Sequence, residues 1–175
     1  MAVKAKKATS AKKPAPPVRK PRVKAIPDKY PQVSACLRVG AAHEAIQWYM
    51  RVFGAKLRMR LDMPDRRIGH AELTIGKGFF MLSDEFPEMD LVGPVTVGQT
   101  CVTMQVYVKN VDATLALAAE AGGRILRPAK DEFYGDRSAM LEDPFGHVWM
   151  IQTRVEEVSR AEMKRRLKKQ FDAAA

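Results

Sequence analysis

Apolar and polar positions change their period twice within residues 33–83. Residues 33–39, VSACLRV, read as a strand. Residues 41–53 then place Ala42, Ala45, Ile46, Tyr49, Met50 and Phe53 at helical spacing. Gly54 stands where a C′ glycine would end that helix. AKLRMRLD, residues 55–62, alternates like a half-buried strand. IGHAELTI and FFMLS follow, separated by a GKG turn, which predicts a hairpin. The predicted order is β-α-β-β-β. After DEFPEMDLVGP, residues 84–94, the order returns. VTMQVYV is a strand. VDATLALAAEA is a helix, started by Asn110 or Asp112 and ended by Gly122-Gly123. RILRP, SAMLED and VWMIQT are three further strands.

A single constant offset carries Val39 onto Val108, Ile46 onto Leu115, Gly54 onto Gly123, Leu57 onto Leu126, Met81 onto Met150 and Leu82 onto Ile151. Helix end falls on helix end and strand on strand without a gap, which marks an internal duplication. The expected fold is α+β: two tandem β-α-β-β-β modules forming a curled eight-stranded sheet with a central cleft. The expected modules span about residues 33–83 and 101–153, inside a domain of residues 29–155. A basic helix follows over 156–175. Ser159 caps it, Glu162 three residues on completes a capping box, and Met163, Leu167 and Phe171 recur every four residues.

Charge changes this picture only at the ends. The chain has 175 residues and a net charge of +10. Residues 1–25 hold nine bases and no acid, and residues 159–175 hold six bases against two acids. The remainder is mildly acidic, so the basicity belongs to the ends. Residues 1–28 are Lys, Ala and Pro with too little apolar surface to offset their ordering entropy, and are expected to be disordered. Such a tail offers nucleic acid a phosphate-neutralising arm. Cys36 and Cys101 lie in apolar strand-like runs and are expected to be buried free thiols. No apolar run is long enough to span a membrane and no secretory leader is evident, so a cytoplasmic protein is expected.

With LRVGAAHEAIQWYMRVFGA in the first module and EDPFGHVW in the second, residues 33–153 resemble the glyoxalase/bleomycin-resistance/extradiol-dioxygenase (vicinal oxygen chelate) superfamily. GDR followed by a strand and DPxG is similar to the matching segment of bleomycin-resistance and phosphonate-operon-type members. The resemblance implies the paired-module fold. It implies His and Glu ligands for a divalent metal on the first and last strand of each module. Those positions here align with Ser34, Met81, Thr103 and Met150. Hydroxyl and thioether groups are poor ligands for Zn²⁺, Ni²⁺, Mn²⁺ or Fe²⁺. The expectation is therefore a cleft without the family's metal and with no cofactor.

That cleft would bind a small organic molecule on an apolar floor at Met81 and Met150, with polar groups from Ser34, Thr103, His70, Glu72, Tyr134, Asp136 and Arg137. Arg137 supplies a planar fork for an anionic or polar ligand. Phe80 and Trp149 alternate away from Met81 and Met150 and are expected against the helices, and His147 is expected to pack in its turn. A homodimer is expected from the family. The alternative is a metal-dependent lyase or dioxygenase with rearranged ligands. His70 and Glu72, two apart on one strand face, would then be its first donors. A second alternative is nucleic-acid association through the basic tails. No nucleophile triad and no glycine-rich nucleotide loop is present.

Overall fold

The computed structural model of the chain describes residues 23–172, and the expectations for residues 1–22 and 173–175 lie outside that range. The chain divides into two compact units, residues 1–30 and 31–175. In the first, Lys24 and Asp28 form an ion pair at 2.7 Å, one helical turn apart in sequence.

The second unit carries the duplication. Its first module runs β1 (Ala35–Val39), α1 (Ala42–Phe53), β2 (Lys56–Asp62), β3 (Ile68–Ile75) and β4 (Gly78–Asp84). A 3₁₀ turn (Pro87–Met89) and a short helix α2 (Pro94–Val97), begun by a proline at its first turn, occupy the connection. The second module runs β5 (Thr103–Tyr107), α3 (Val111–Glu120), β6 (Arg124–Asp131), β7 (Asp136–Glu142) and β8 (Val148–Arg154), and α4 (Arg160–Asp172) follows. The eight strands form two four-stranded sheets, ordered β1-β4-β3-β2 and β5-β8-β7-β6. In each, the first and last strands pair in parallel and the others antiparallel.

Local chemistry sets the element ends. Gly54 is left-handed, with φ 64°, and its amide closes α1 on the Tyr49 carbonyl. Asn110 caps α3 by accepting from the Ala113 amide at 3.0 Å. α1 has no cap of its own. Asp84, at the end of β4, accepts from the Ala42 amide at 2.7 Å and from the Ile68 amide at 2.6 Å. The Glu162 amide reaches Ser159 Oγ at 3.2 Å, so Ser159 caps α4. The Glu162 carboxylate does not return the bond: it pairs with Arg165 and Arg166, which hold its pKa down to about 2.

Each sheet has one face under its helix. Leu37, Val39, Ala71, Leu73, Phe80 and Leu82 of the first sheet, and Val106, Ala139, Leu141, Trp149 and Ile151 of the second, join both helices in one core. Phe80 and Trp149, offset mates, lie 6.0 Å apart between ring centroids. The buried face of α1 is wider than its apolar period predicts. Trp48 and Val52 are buried while Met50 is exposed. The cause is α3: Trp48 Nε1 donates to the Ala121 carbonyl at 3.0 Å, so α1 packs on a helix as well as on its sheet.

Two expectations are corrected here. Cys36 and Cys101 are free, as expected, but both are exposed. Cys36 lies on the face of β1 away from α1, and Cys101 precedes β5, so an apolar run did not imply burial. β6 also continues through Pro128 to pair Lys130 with Ser138 and Asp131 with Arg137. The register shift between Arg127 and Lys130 absorbs the proline, which has no amide to donate to a regular ladder.

Candidate functional site between the modules

The faces turned away from the helices carry most of the sequence-predicted residues; Arg137, which turns toward α3, and Tyr134, in the loop before β7, are the exceptions. In the first sheet, Cys36, Met81 and Glu72 stand in register across β1, β4 and β3. In the second, Gln105, Met150 and Met140 occupy the same places on β5, β8 and β7. Met81 and Met150 are half-buried, Ser34 stands just before β1, and Thr103 opens β5 exposed to solvent.

Glu72 is buried, with the Arg58 guanidinium 3.5 Å away and His70 Nε2 also at 3.5 Å. The structure therefore brings His70 and Glu72 together as their spacing predicts. Two donors beside a guanidinium do not make a divalent-metal cage. Among the described residues no three His, Cys, Asp or Glu side chains cluster closely enough to hold an ion. The donor set does not fit the metal that the family resemblance implies.

Asp136 and Arg137 part company on β7. Asp136 is buried on the face away from α3. Its Oδ2 accepts from Tyr107 Oη at 2.7 Å and from Gln152 Nε2 at 3.3 Å, and Gln152 in turn bonds Gln105. Arg154 Nε stands 2.9 Å from Asp136 Oδ1 but out of alignment, so that oxygen makes no hydrogen bond. The hydrogen bond to Asp136, then burial, raises the Tyr107 pKa, so the phenol remains a donor. Arg137 points the other way. It forms a two-pronged pair with Asp112 of α3 at 2.7 Å and a further contact with Asp131 at 2.9 Å. Asp112 and Asp131 thus occupy the fork that the sequence assigns to a ligand. Tyr134 packs edge-on against Phe133 in the loop before β7, and its carbonyl accepts from Arg154.

Two cavities lie between the modules. One, of about 380 Å³, has a floor of Phe80, Trp149, Met104 and Val106, one wall from the β3–β4 hairpin (Ile75–Phe79), and another from Gln105 and Tyr107. The other, of about 430 Å³, is lined by β1, the 92–102 connection, Met104 and His147. None of the nine sequence-predicted site residues lines either cavity. Their neighbours do. Asp136 supports the hairpin-walled cavity indirectly, by orienting Tyr107. Gln105 and Tyr107 were missed, although alternation along VTMQVYV puts both on the face of Thr103.

One residue ties the modules together behind these cavities. Asp143 opens the DPFGH turn and is buried. Its Oδ1 accepts from the amides of Phe145 and His147, both at 2.9 Å, and its Oδ2 from Tyr49 Oη at 2.7 Å and Trp149 Nε1 at 2.8 Å. Burial and then the Asp143 charge raise the Tyr49 pKa well above its ordinary value. His147 packs in the turn, with Nε2 3.0 Å from the Arg38 carbonyl.

Comparison with known proteins agrees with this architecture. The chain is 34% identical over 145 residues to an uncharacterised protein of Mycobacterium tuberculosis, covering 81% of this chain and 85% of the relative. It is similar to TioX from Micromonospora sp. ML1 at 26% identity and TM-score 0.55, covering 74% of this chain and all of TioX. A Bacillus cereus PhnB protein, described as a putative 3-demethylubiquinone-9 3-methyltransferase, shares the fold at 18% identity and TM-score 0.57, over 70% of this chain and 99% of that one. No helix among the described residues is long and apolar enough to cross a membrane. The model of the Glyoxalase/Bleomycin resistance protein/Dioxygenase superfamily matches residues 31–151, and the chain belongs to that family.

Proposed function

We propose that the protein binds a small organic molecule in the cleft between its modules, without a divalent metal and without turnover. The observation that carries this is the donor chemistry at the four strand positions, Ser34, Met81, Thr103 and Met150, with no three-residue ligand cluster among the described residues to replace them. The 380 Å³ cavity supports it in size and make-up. An aromatic and thioether floor with a few fixed polar groups suits a molecule with an apolar body and one polar end. Tyr107, held by Asp136, and Gln105, held by Gln152, are the groups placed to meet that end.

A second copy of the chain is part of this reading. Exposed apolar side chains on the outer strands of both sheets, among them Met59, Leu61, Ile125 and Leu126, offer surface for it. Two exposed free thiols suit a reducing compartment, which supports a cytoplasmic location. Nucleic-acid association through the basic tails rests on residues 1–22, outside the described range, and on α4, where Arg165 and Arg166 are paired with Glu162 and Glu156.

The test uses 8-anilinonaphthalene-1-sulfonate, an apolar fluorophore with one polar end. Saturable binding with energy transfer from Trp149, unchanged by EDTA and weakened about 10-fold by Tyr107→Ala, is expected, since a lost ligand hydrogen bond costs on the order of 1.4 kcal/mol. Binding abolished by EDTA, or indifferent to Tyr107→Ala and Gln105→Ala together, would contradict the proposal.

A further inference from the structure

The cavity beside β1 has a different chemistry from its neighbour. Both cysteines of the chain line it, Cys36 from β1 and Cys101 from the irregular stretch before β5. Both are exposed and free. The Met104 thioether and the Arg38 guanidinium share the lining. Arg38 Nη1 donates to Cys36 Sγ at 3.3 Å and to the buried Ser83 Oγ at 2.5 Å, so the guanidinium is fixed beside that sulfur.

We propose that this cavity is a site for a soft, two-coordinate cation, Cu(I), held by the Cys36 and Cys101 thiolates. Thiolate and thioether donors select Cu(I) over harder divalent ions. The number of donors argues the same way. Among the described residues no three His, Cys, Asp or Glu side chains come together to begin the four-donor shell that Zn²⁺ requires. His147 lines the cavity, but its Nε2 is directed to the Arg38 carbonyl. Two thiolates around Cu(I) leave one net negative charge, and Arg38 stands where it offsets that charge. Cys101 belongs to no strand or helix, so it is the donor that can adjust to complete the pair. Binding exchanges two thiol protons for the cation. Copper remains Cu(I), both sulfurs remain reduced, and no electron is transferred. Met104 is placed to supply a weaker third contact. The site stands whether or not the hairpin-walled cavity takes a ligand.

The experiment is an anaerobic titration of the full-length reduced protein with Cu(I), supplied as its acetonitrile complex, against the chromophoric chelator bicinchoninate. One Cu(I) per chain is expected. Cys36→Ser and Cys101→Ser should each weaken it by more than about 100-fold, the upper end of what loss of an outer-shell partner costs. Both positions are exposed, so neither change threatens the core. A second readout needs no variant: iodoacetamide should add two labels to the metal-free chain and none to the Cu(I)-loaded one, read by intact mass. Unchanged Cu(I) affinity in the Cys36→Ser/Cys101→Ser double variant would overturn the proposal. So would free labelling of both thiols in loaded protein, or half an equivalent of copper per chain.

Discussion

The two modules share a backbone plan and differ in the polar groups that lock it. Asp84 closes the first module by accepting the Ala42 and Ile68 amides. Its offset mate Thr153 makes one bond, from Oγ1 to the Val108 carbonyl. Asp143 anchors the second module and reaches into the first through Tyr49. Its offset mate is Thr74, a half-buried residue of β3. Duplication thus preserved the apolar face that each helix covers, where any shape change would cost packing. The polar keystones diverged: Asp84 gathers amides within its own module, whereas Asp143 also takes the Tyr49 phenol from the other.

The comparison breaks most visibly at Asp143. Asp143→Ala strands two amides, an indole N–H and a phenol inside the core, and buried unpaired donors cost about 1–3 kcal/mol each. A loss of at least about 4 kcal/mol is expected, which lowers the melting temperature by roughly 10 °C in a domain of this size. Thr74→Ala should cost under about 1 kcal/mol. Equal losses in thermal melts would show that the modules are locked alike.

A smaller contrast is expected at the other pair. Asp84→Ala removes two charge-assisted bonds, including the only side-chain acceptor at the start of α1 that the described residues provide, and should cost about 2–3 kcal/mol in urea unfolding. Thr153→Ala removes one neutral bond, worth about 1 kcal/mol.

The smallest effect is in pH. The folded pKa of Tyr49 lies above its unfolded value. Its contribution is therefore complete below the unfolded tyrosine value of about 10 and is lost as pH rises toward the folded one. Wild-type stability should fall more steeply above pH 10 or so than that of Tyr49→Phe, which has no proton to lose there. Parallel alkaline profiles would remove the coupling between Tyr49 and Asp143.

The same division explains what the sequence disclosed. Helix ends marked by Gly54, Asn110 and Ser159 were legible because one residue and its near neighbours decide them. The duplication was legible because apolar period repeats along the chain, and it placed Phe80 and Trp149 correctly against the helices. What depends on the second partner was not legible. The strand expected at SAMLED left Asp136 and Arg137 in a turn at one rim; β7 instead begins at Asp136, so the two face opposite ways and Asp112 occupies Arg137. The DPFGH turn was visible in sequence, but Tyr49 arrives at Asp143 from 94 residues away. The thiols were misplaced because Cys36 falls on the uncovered face of β1 and Cys101 lies before β5 rather than within a strand.

The central claim is that hydroxyl and thioether groups, Ser34, Met81, Thr103 and Met150, have replaced the cation ligands of the family. Elemental analysis of protein purified from metal-replete cells without chelator tests it most directly. The account predicts no stoichiometric zinc, nickel, manganese or iron. A full equivalent of any of these per chain, removed by EDTA together with ligand binding, would contradict it.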